Sequence, residues 1–121
     1  DSYVFIHRKT HLGNILVMTL VKVGEAGDIK ENTGKEVKVG ETRIALFYAN
    51  GKYYAIDAIC RHQDGSLAPG KLEGEVVECP LHFWHYNIKT GQLLDYLDGV
   101  RLTTYEVRVI RDQIYLEIEN G

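Results

Sequence analysis

Hydrophobic and polar residues alternate with a period of two through a series of short runs in this chain. Thr19–Val23, Glu36–Val39, Thr42–Tyr48, Lys52–Ala58, Val76–Cys79, Tyr86–Ile88, Gln92–Leu94, Thr104–Ile110 and Gln113–Ile118 all read as strands. Turn signals fall between them. Asn50-Gly51 joins two runs as a hairpin, and Thr90-Gly91 and Arg111-Asp112 mark further turns. In the last pair of runs, Tyr105, Val107 and Val109 alternate with Glu106 and Arg108. Ile114, Leu116 and Ile118 alternate with Tyr115 and Glu117. Each of these strands is expected to have one core face and one wetter face. Tyr53 and Tyr54 are expected to point to opposite faces of their strand. Tyr3–Ile6 has the composition of an added edge strand. No segment carries a long apolar stripe at helical spacing, and Glu25–Ile29 has room for one helical turn at most. The pattern predicts an all-β domain, a small sandwich or barrel.

Composition narrows the classes of function. A chain of 121 residues, 45% of them hydrophobic, forms one domain with a core. Its formal charge is −3 and both signs are interleaved, so no nucleic-acid partner is expected. No apolar run reaches membrane-spanning length and no signal-peptide pattern stands at the N-terminus, so no membrane is expected and a cytoplasmic location is. Met18 is the only methionine. Residues 1–17 are therefore read as an N-terminal extension or a segment introduced for expression, and 18–121 as the domain.

The chemistry is concentrated in two short pieces, Cys60-Arg61-His62 and Cys79-Pro80-Leu81-His82, with sixteen residues between them. They hold both cysteines of the chain. A disulfide between them would explain neither histidine. Cys₂His₂ is also a zinc set, but zinc fingers usually place two cysteines in one piece and two histidines in the other. One Cys and one His in each piece matches the ligands of a Rieske [2Fe-2S] centre, where two Cys hold one iron and two His the other. On an extended C-x-H segment the two side chains share a face. Pro80 constrains the return path of C-x-x-H. Gly65, Gly70 and Gly74 allow tight turns and close approach of backbone amides to the cluster sulfurs.

Longer stretches carry a resemblance. Cys60-Arg61-His62-Gln63-Asp64-Gly65-Ser66-Leu67, Glu78-Cys79-Pro80-Leu81-His82-Phe83-Trp84-His85-Tyr86-Asn87 and Lys89-Thr90-Gly91 resemble a Rieske-type ferredoxin. The likeness is to the small ferredoxins of multicomponent ring-hydroxylating dioxygenases and aromatic monooxygenases, from about Thr19 to Ile118. It implies three antiparallel sheets with an inserted cluster-binding subdomain, about residues 58–98. It implies that Cys60 and Cys79 hold a buried inner iron, and that His62 and His82 bind an outer iron through Nδ1. One [2Fe-2S] cluster is the implied cofactor. The implied function is one-electron transfer from an NAD(P)H-dependent flavoprotein reductase to a terminal oxygenase, with no catalytic residues of its own.

Departures from the family set further expectations. The positions of the extra disulfide of high-potential members are Gly65 and Leu81 here, which excludes that bridge. Trp84 stands where those proteins have a serine that bonds a cluster sulfide, while Tyr86 matches their second hydroxyl donor. With at most one of the two bonds, a potential near the low end of the Rieske range is expected, about −150 mV. Phe83 stands where many relatives have glycine, and the loop Leu97-Asp98-Gly99-Val100-Arg101 lacks proline.

Other residues receive plainer readings. His85 is expected to be a surface histidine, and His7 and His11 to be solvated. Glu73, Glu75 and Glu78 read as a solvated acidic face. Trp84 reads as packing over the cluster loop, while Arg61, Phe83 and Trp84 are the candidate partner contacts. Two other functions fit the same residues: a zinc-stabilised β module that binds protein, and a redox sensor using the same cluster.

Overall fold

The computed structural model describes residues 3–60, 65–81 and 83–119. Every regular element among them is a strand: β1 (Tyr3–Lys9), β2 (Ile15–Glu25), β3 (Thr33–Val39), β4 (Thr42–Ala49), β5 (Lys52–Asp57), β6 (Lys71–Glu73), β7 (Val76–Glu78), β8 (His85–Asn87), β9 (Thr104–Tyr105), β10 (Val107–Ile110) and β11 (Gln113–Glu119). They form three antiparallel sheets, in the orders β1-β2-β11-β10, β3-β4-β5-β9 and β6-β7-β8. The expected all-β architecture of three antiparallel sheets is what the chain adopts. Glu25–Ile29 makes a turn and no helix.

The chain divides into two compact units, residues 1–26 with 105–121, and residues 27–104. The first holds the β1-β2-β11-β10 sheet. The stretch read as an edge strand at Tyr3–Ile6 runs on to Lys9 and pairs along β2, from Tyr3 opposite Val21 to Lys9 opposite Ile15. The expected split of β11 into a core face and a wetter face is not what forms. Ile114, Tyr115, Leu116 and Glu117 are all buried. β11 is an inner strand with a neighbour on each side, and Arg108 Nε of β10 donates to Glu117 Oε2 at 2.7 Å. That bond supplies the pairing a buried carboxylate requires. β10 lies at the sheet edge, and there Val109, assigned to the core, is exposed.

The second unit holds the β6-β7-β8 sheet and the strands β3, β4 and β5. Asn50 and Gly51 both take positive φ, 54° and 75°, in the two-residue turn between β4 and β5 that Asn-Gly predicts. Tyr54 packs inward against the core and Tyr53 stacks on Tyr48 across the strands, with ring centroids 4.5 Å apart. Phe47, Ile56, Leu67, Val77, Ile88 and Leu102 are fully buried. Each contributes roughly 1.5–3 kcal/mol through removal of apolar surface from water. Gln92–Leu94 forms only isolated bridges, Tyr86 to Leu93 and Gln92 to Arg101, rather than a strand. The run Thr104–Ile110 breaks at Glu106 into β9 and β10. β6, which pairs with β7 through Leu72 and Val77, has too few residues to announce itself by alternation.

Candidate metal centre

The two pieces that carry the cysteines sit in loops of the second unit. The first follows β5. Leu67 N–H donates to Ala58 O at 2.7 Å, and Cys60 N–H donates to Gly65 O at 3.0 Å. These bonds bring the chain back on itself just after Cys60. The second loop joins β7 to β8. Cys79 N–H donates to Trp84 O at 2.7 Å and Phe83 N–H to Cys79 O at 2.9 Å, which closes the loop at its neck. The loops face each other: a Cβ on Gly65 would run into the Leu81 side chain. The two positions from which a bridging disulfide was excluded are therefore neighbours in space. Gly70 is also close-packed, since a Cβ there would strike the carbonyl of Glu78. Gly74 is different. It takes a positive φ of 60° in the β6–β7 turn with open space around it, so its role is the turn and not close approach.

Cys60 and Cys79 are both buried thiols and belong to one apolar cluster with Ala58, Leu67, Val77, Tyr86 and Leu93. Tyr86 is wholly buried, and its hydroxyl lies 3.4 Å from Cys60 Sγ. The second hydroxyl donor inferred from the sequence thus reaches a cysteine sulfur. Trp84 occupies the place of the first and offers a carbonyl to Cys79 instead of a hydroxyl to a sulfide. Two thiols gathered in an apolar pocket, one beside a buried phenol, are a donor set suited to an iron–sulfur cluster. His62 and His82 lie outside the described residues, as does Arg61.

Around the thiols lies a rim that the sequence showed only in part. Trp84 is half-buried against the core, and its ring stacks on Tyr96 with centroids 5.2 Å apart. Phe83 and Tyr96 are exposed, 59% and 71%, and both adopt left-handed backbone, with φ of 62° and 67°. Such backbone strains a bulky L-residue, and neither side chain is repaid by burial. The position where many relatives have glycine is thus one that calls for glycine. The loop from 93 to 101 is ordered without proline, through Leu93 N–H to Val100 O at 2.9 Å and the Trp84–Tyr96 stack.

His85 lies at the surface, as expected, with 38% of its side chain exposed, but both ring nitrogens are engaged. Its Nδ1 lies 2.6 Å from Asp95 Oδ2 and its Nε2 lies 3.1 Å from Glu78 Oε1. The hydrogen bond that its ring donates to Asp95 holds its pKa above the usual imidazole value; partial burial opposes this and the bond to Glu78 adds to it. Glu78 therefore leaves the solvated acidic face for a pairing. Glu75 does likewise, accepting from Tyr54 OH at 3.4 Å; desolvation, then the charge of Glu75, pushes the Tyr54 phenol up. Glu73 is exposed, as expected, and so is His7, while His11 lies in the exposed β1–β2 turn. Asp95 escaped the sequence reading because ten residues separate it from His85 and no local motif joins them. Glu78 could have been found: it is the cross-strand partner of His85 once the β7–β8 hairpin is drawn.

The comparisons with known proteins agree with this geometry. Residues 19–106 match the Rieske [2Fe-2S] domain. The biphenyl 2,3-dioxygenase ferredoxin component of Rhodococcus jostii is 30% identical over 104 residues, which cover 86% of this chain and 97% of that protein. Ferredoxin CarAc of Metapseudomonas resinovorans is 33% identical over 97 residues, 79% of this chain and 91% of the relative. Among solved structures, a chain from the complex of reduced oxygenase and oxidised ferredoxin in carbazole 1,9a-dioxygenase superposes with a TM-score of 0.75. It is 31% identical, with 84% of this chain and 96% of that chain covered. The chain belongs to the Rieske [2Fe-2S] family, as a ferredoxin-type carrier of single electrons and not as an enzyme in itself. Its cofactor is accordingly a Rieske-type cluster, which sets aside the zinc module. Among the described residues no helix is long and apolar enough to cross a membrane.

Proposed function

We propose that Cys60, His62, Cys79 and His82 hold one [2Fe-2S] cluster, and that the chain carries electrons from an NAD(P)H-dependent flavoprotein reductase to a terminal oxygenase. The observation that carries this reading is the pairing of two buried thiols from facing loops, with a buried tyrosine hydroxyl on one of them. When bound, such a cluster takes up and gives back one electron. The residues of this chain do the rest. Cys60 and Cys79 supply negative sulfur within an apolar pocket that excludes water. With Cys60 bound as a thiolate, the Tyr86 hydroxyl 3.4 Å away would donate to its sulfur and so favour the more negative, reduced state. Phe83, Trp84 and Tyr96 form an aromatic rim beside the Cys79 loop, suited to brief docking through a small interface. Arg61 is the charged candidate contact.

Support for an oxygenase as acceptor comes from the relatives, which are named as ferredoxin components of dioxygenases, and from the ferredoxin–oxygenase complex of the carbazole system. Thiol ligands suit a reducing compartment, so the cytoplasm is the proposed location. Within the chain, we place the cluster-binding subdomain at about residues 58–98 of a domain running 18–121, with 1–17 as an extension, or a segment introduced for expression, that adds β1 and the first residues of β2. The decisive experiment is anaerobic purification followed by iron and acid-labile sulfide assay and EPR of the reduced protein. Two irons and two sulfides per chain, lost in Cys60→Ser and reduced to half or less in His62→Ala, support the proposal. A colourless protein holding neither would overturn it.

A further inference from the structure

β8 serves two sides at once. Its neighbouring residues point to opposite faces, as strand geometry requires. Tyr86 turns inward to Cys60, and His85 turns outward to a pair of carboxylates. His85 and Glu78 are the last cross-strand pair of the β7–β8 hairpin before the loop that carries Cys79. The third member, Asp95, comes from the loop beyond β8. Every polar atom of His85 is engaged. Its N–H donates to Asp95 Oδ1 at 3.1 Å, its carbonyl accepts from Leu94 N–H at 2.8 Å, and each ring nitrogen faces a carboxylate oxygen.

That geometry selects a protonation state. A neutral imidazole has one N–H and one lone pair, so one carboxylate would face a lone pair. The imidazolium donates to both. Other charged groups nearby are Lys71 and Glu73 of β6, which share a surface hollow with Glu78 and His85. Lys71 Nζ is 3.0 Å from Glu73 Oε1, so these two largely cancel.

We infer that His85 is a positioning residue: its imidazolium fastens the neck of the Cys79 loop to the 93–101 loop, and its charge tunes the nearby redox centre. This deepens the function proposed above and rests on it. Protonated, His85 offsets one of its two carboxylates; neutral, it leaves both uncompensated and disfavours an added electron. The midpoint potential therefore falls as pH rises through the His85 pKa. The clasp's contribution to stability has the same sense. With a raised folded-state pKa, it is fully present below the ordinary imidazole value and is lost as pH rises through the folded value.

The test compares wild type with His85→Gln and Asp95→Asn, by voltammetry across pH and by ¹⁵N NMR titration of the imidazole. Expected is a wild-type potential above that of His85→Gln at low pH, with the difference vanishing at high pH along the NMR-detected His85 titration. Asp95→Asn should lower the His85 pKa. Subtracting the variant removes any titration of the cluster's own histidines. Equal potentials at every pH, or a His85 pKa at or below that of free imidazole, would overturn the inference. The NMR arm separates the two readings, because protein without iron or sulfide would fail the cluster proposal while still showing whether Asp95 raises the pKa of His85.

Discussion

The inside and the rim of the cysteine-bearing unit are built on opposite terms. Inside, Cys60, Cys79 and Tyr86 are almost wholly buried, and the phenol of Tyr86 reaches the sulfur of Cys60. At the rim, Phe83 and Tyr96 sit in strained backbone with exposed rings, and His85 is held between two carboxylates. The inner residues are placed by burial, which stabilises the fold at the same time. At the rim, Phe83 and Tyr96 hold left-handed backbone without the burial that rewards the inner residues. Strain without burial makes this rim the place to test for the docking contacts proposed above.

Breaking the interior should have the largest effect. Cys60→Ser or Cys79→Ser should abolish cluster binding, seen as loss of visible absorption and of iron. Next, Leu67→Ala removes a fully buried side chain of the apolar cluster that includes both cysteines, and should cost about 2–5 kcal/mol in denaturant unfolding. A smaller change sharpens the contrast. Tyr86→Phe keeps the ring and removes the hydroxyl near Cys60, so the midpoint should fall by about 40 mV from a starting value of about −150 mV, the equivalent of a ~1 kcal/mol hydrogen bond. An unchanged potential would mean that the 3.4 Å contact carries no hydrogen bond in the reduced protein.

At the rim the sign reverses. Phe83→Gly relieves a left-handed residue whose ring is exposed, and should stabilise the chain by up to about 1 kcal/mol in thermal unfolding. The same variant should slow electron delivery to a partner while leaving the potential in place. A destabilised Phe83→Gly would show that the ring is held by the fold after all, and would erase the difference between rim and interior.

Much of this molecule was legible before any coordinates. Alternation marked most strands because a half-buried strand must repeat every two residues, and Asn50-Gly51 marked a hairpin because both positions need positive φ. The Cys-x-His and Cys-x-x-His pieces pointed to the ligand set proposed here, since ligand type and spacing are local properties. Tyr86 could be singled out as a hydroxyl donor from its place in the motif. What failed was local reasoning about non-local cover. Tyr115 and Glu117 alternate like solvent-facing residues, yet an inner strand position and the Arg108 bond bury them. His85 looked like an ordinary surface histidine, because Asp95 reaches it only when a separate loop folds back. Sequence alone determined the class of chemistry and the strands that frame it. Tertiary structure decided the reach of the Tyr86 hydroxyl to Cys60, the facing of Gly65 and Leu81, and the clasp on His85. Each of these joins residues far apart along the chain, and their meeting depends on how sheets and loops close rather than on any short pattern of residues.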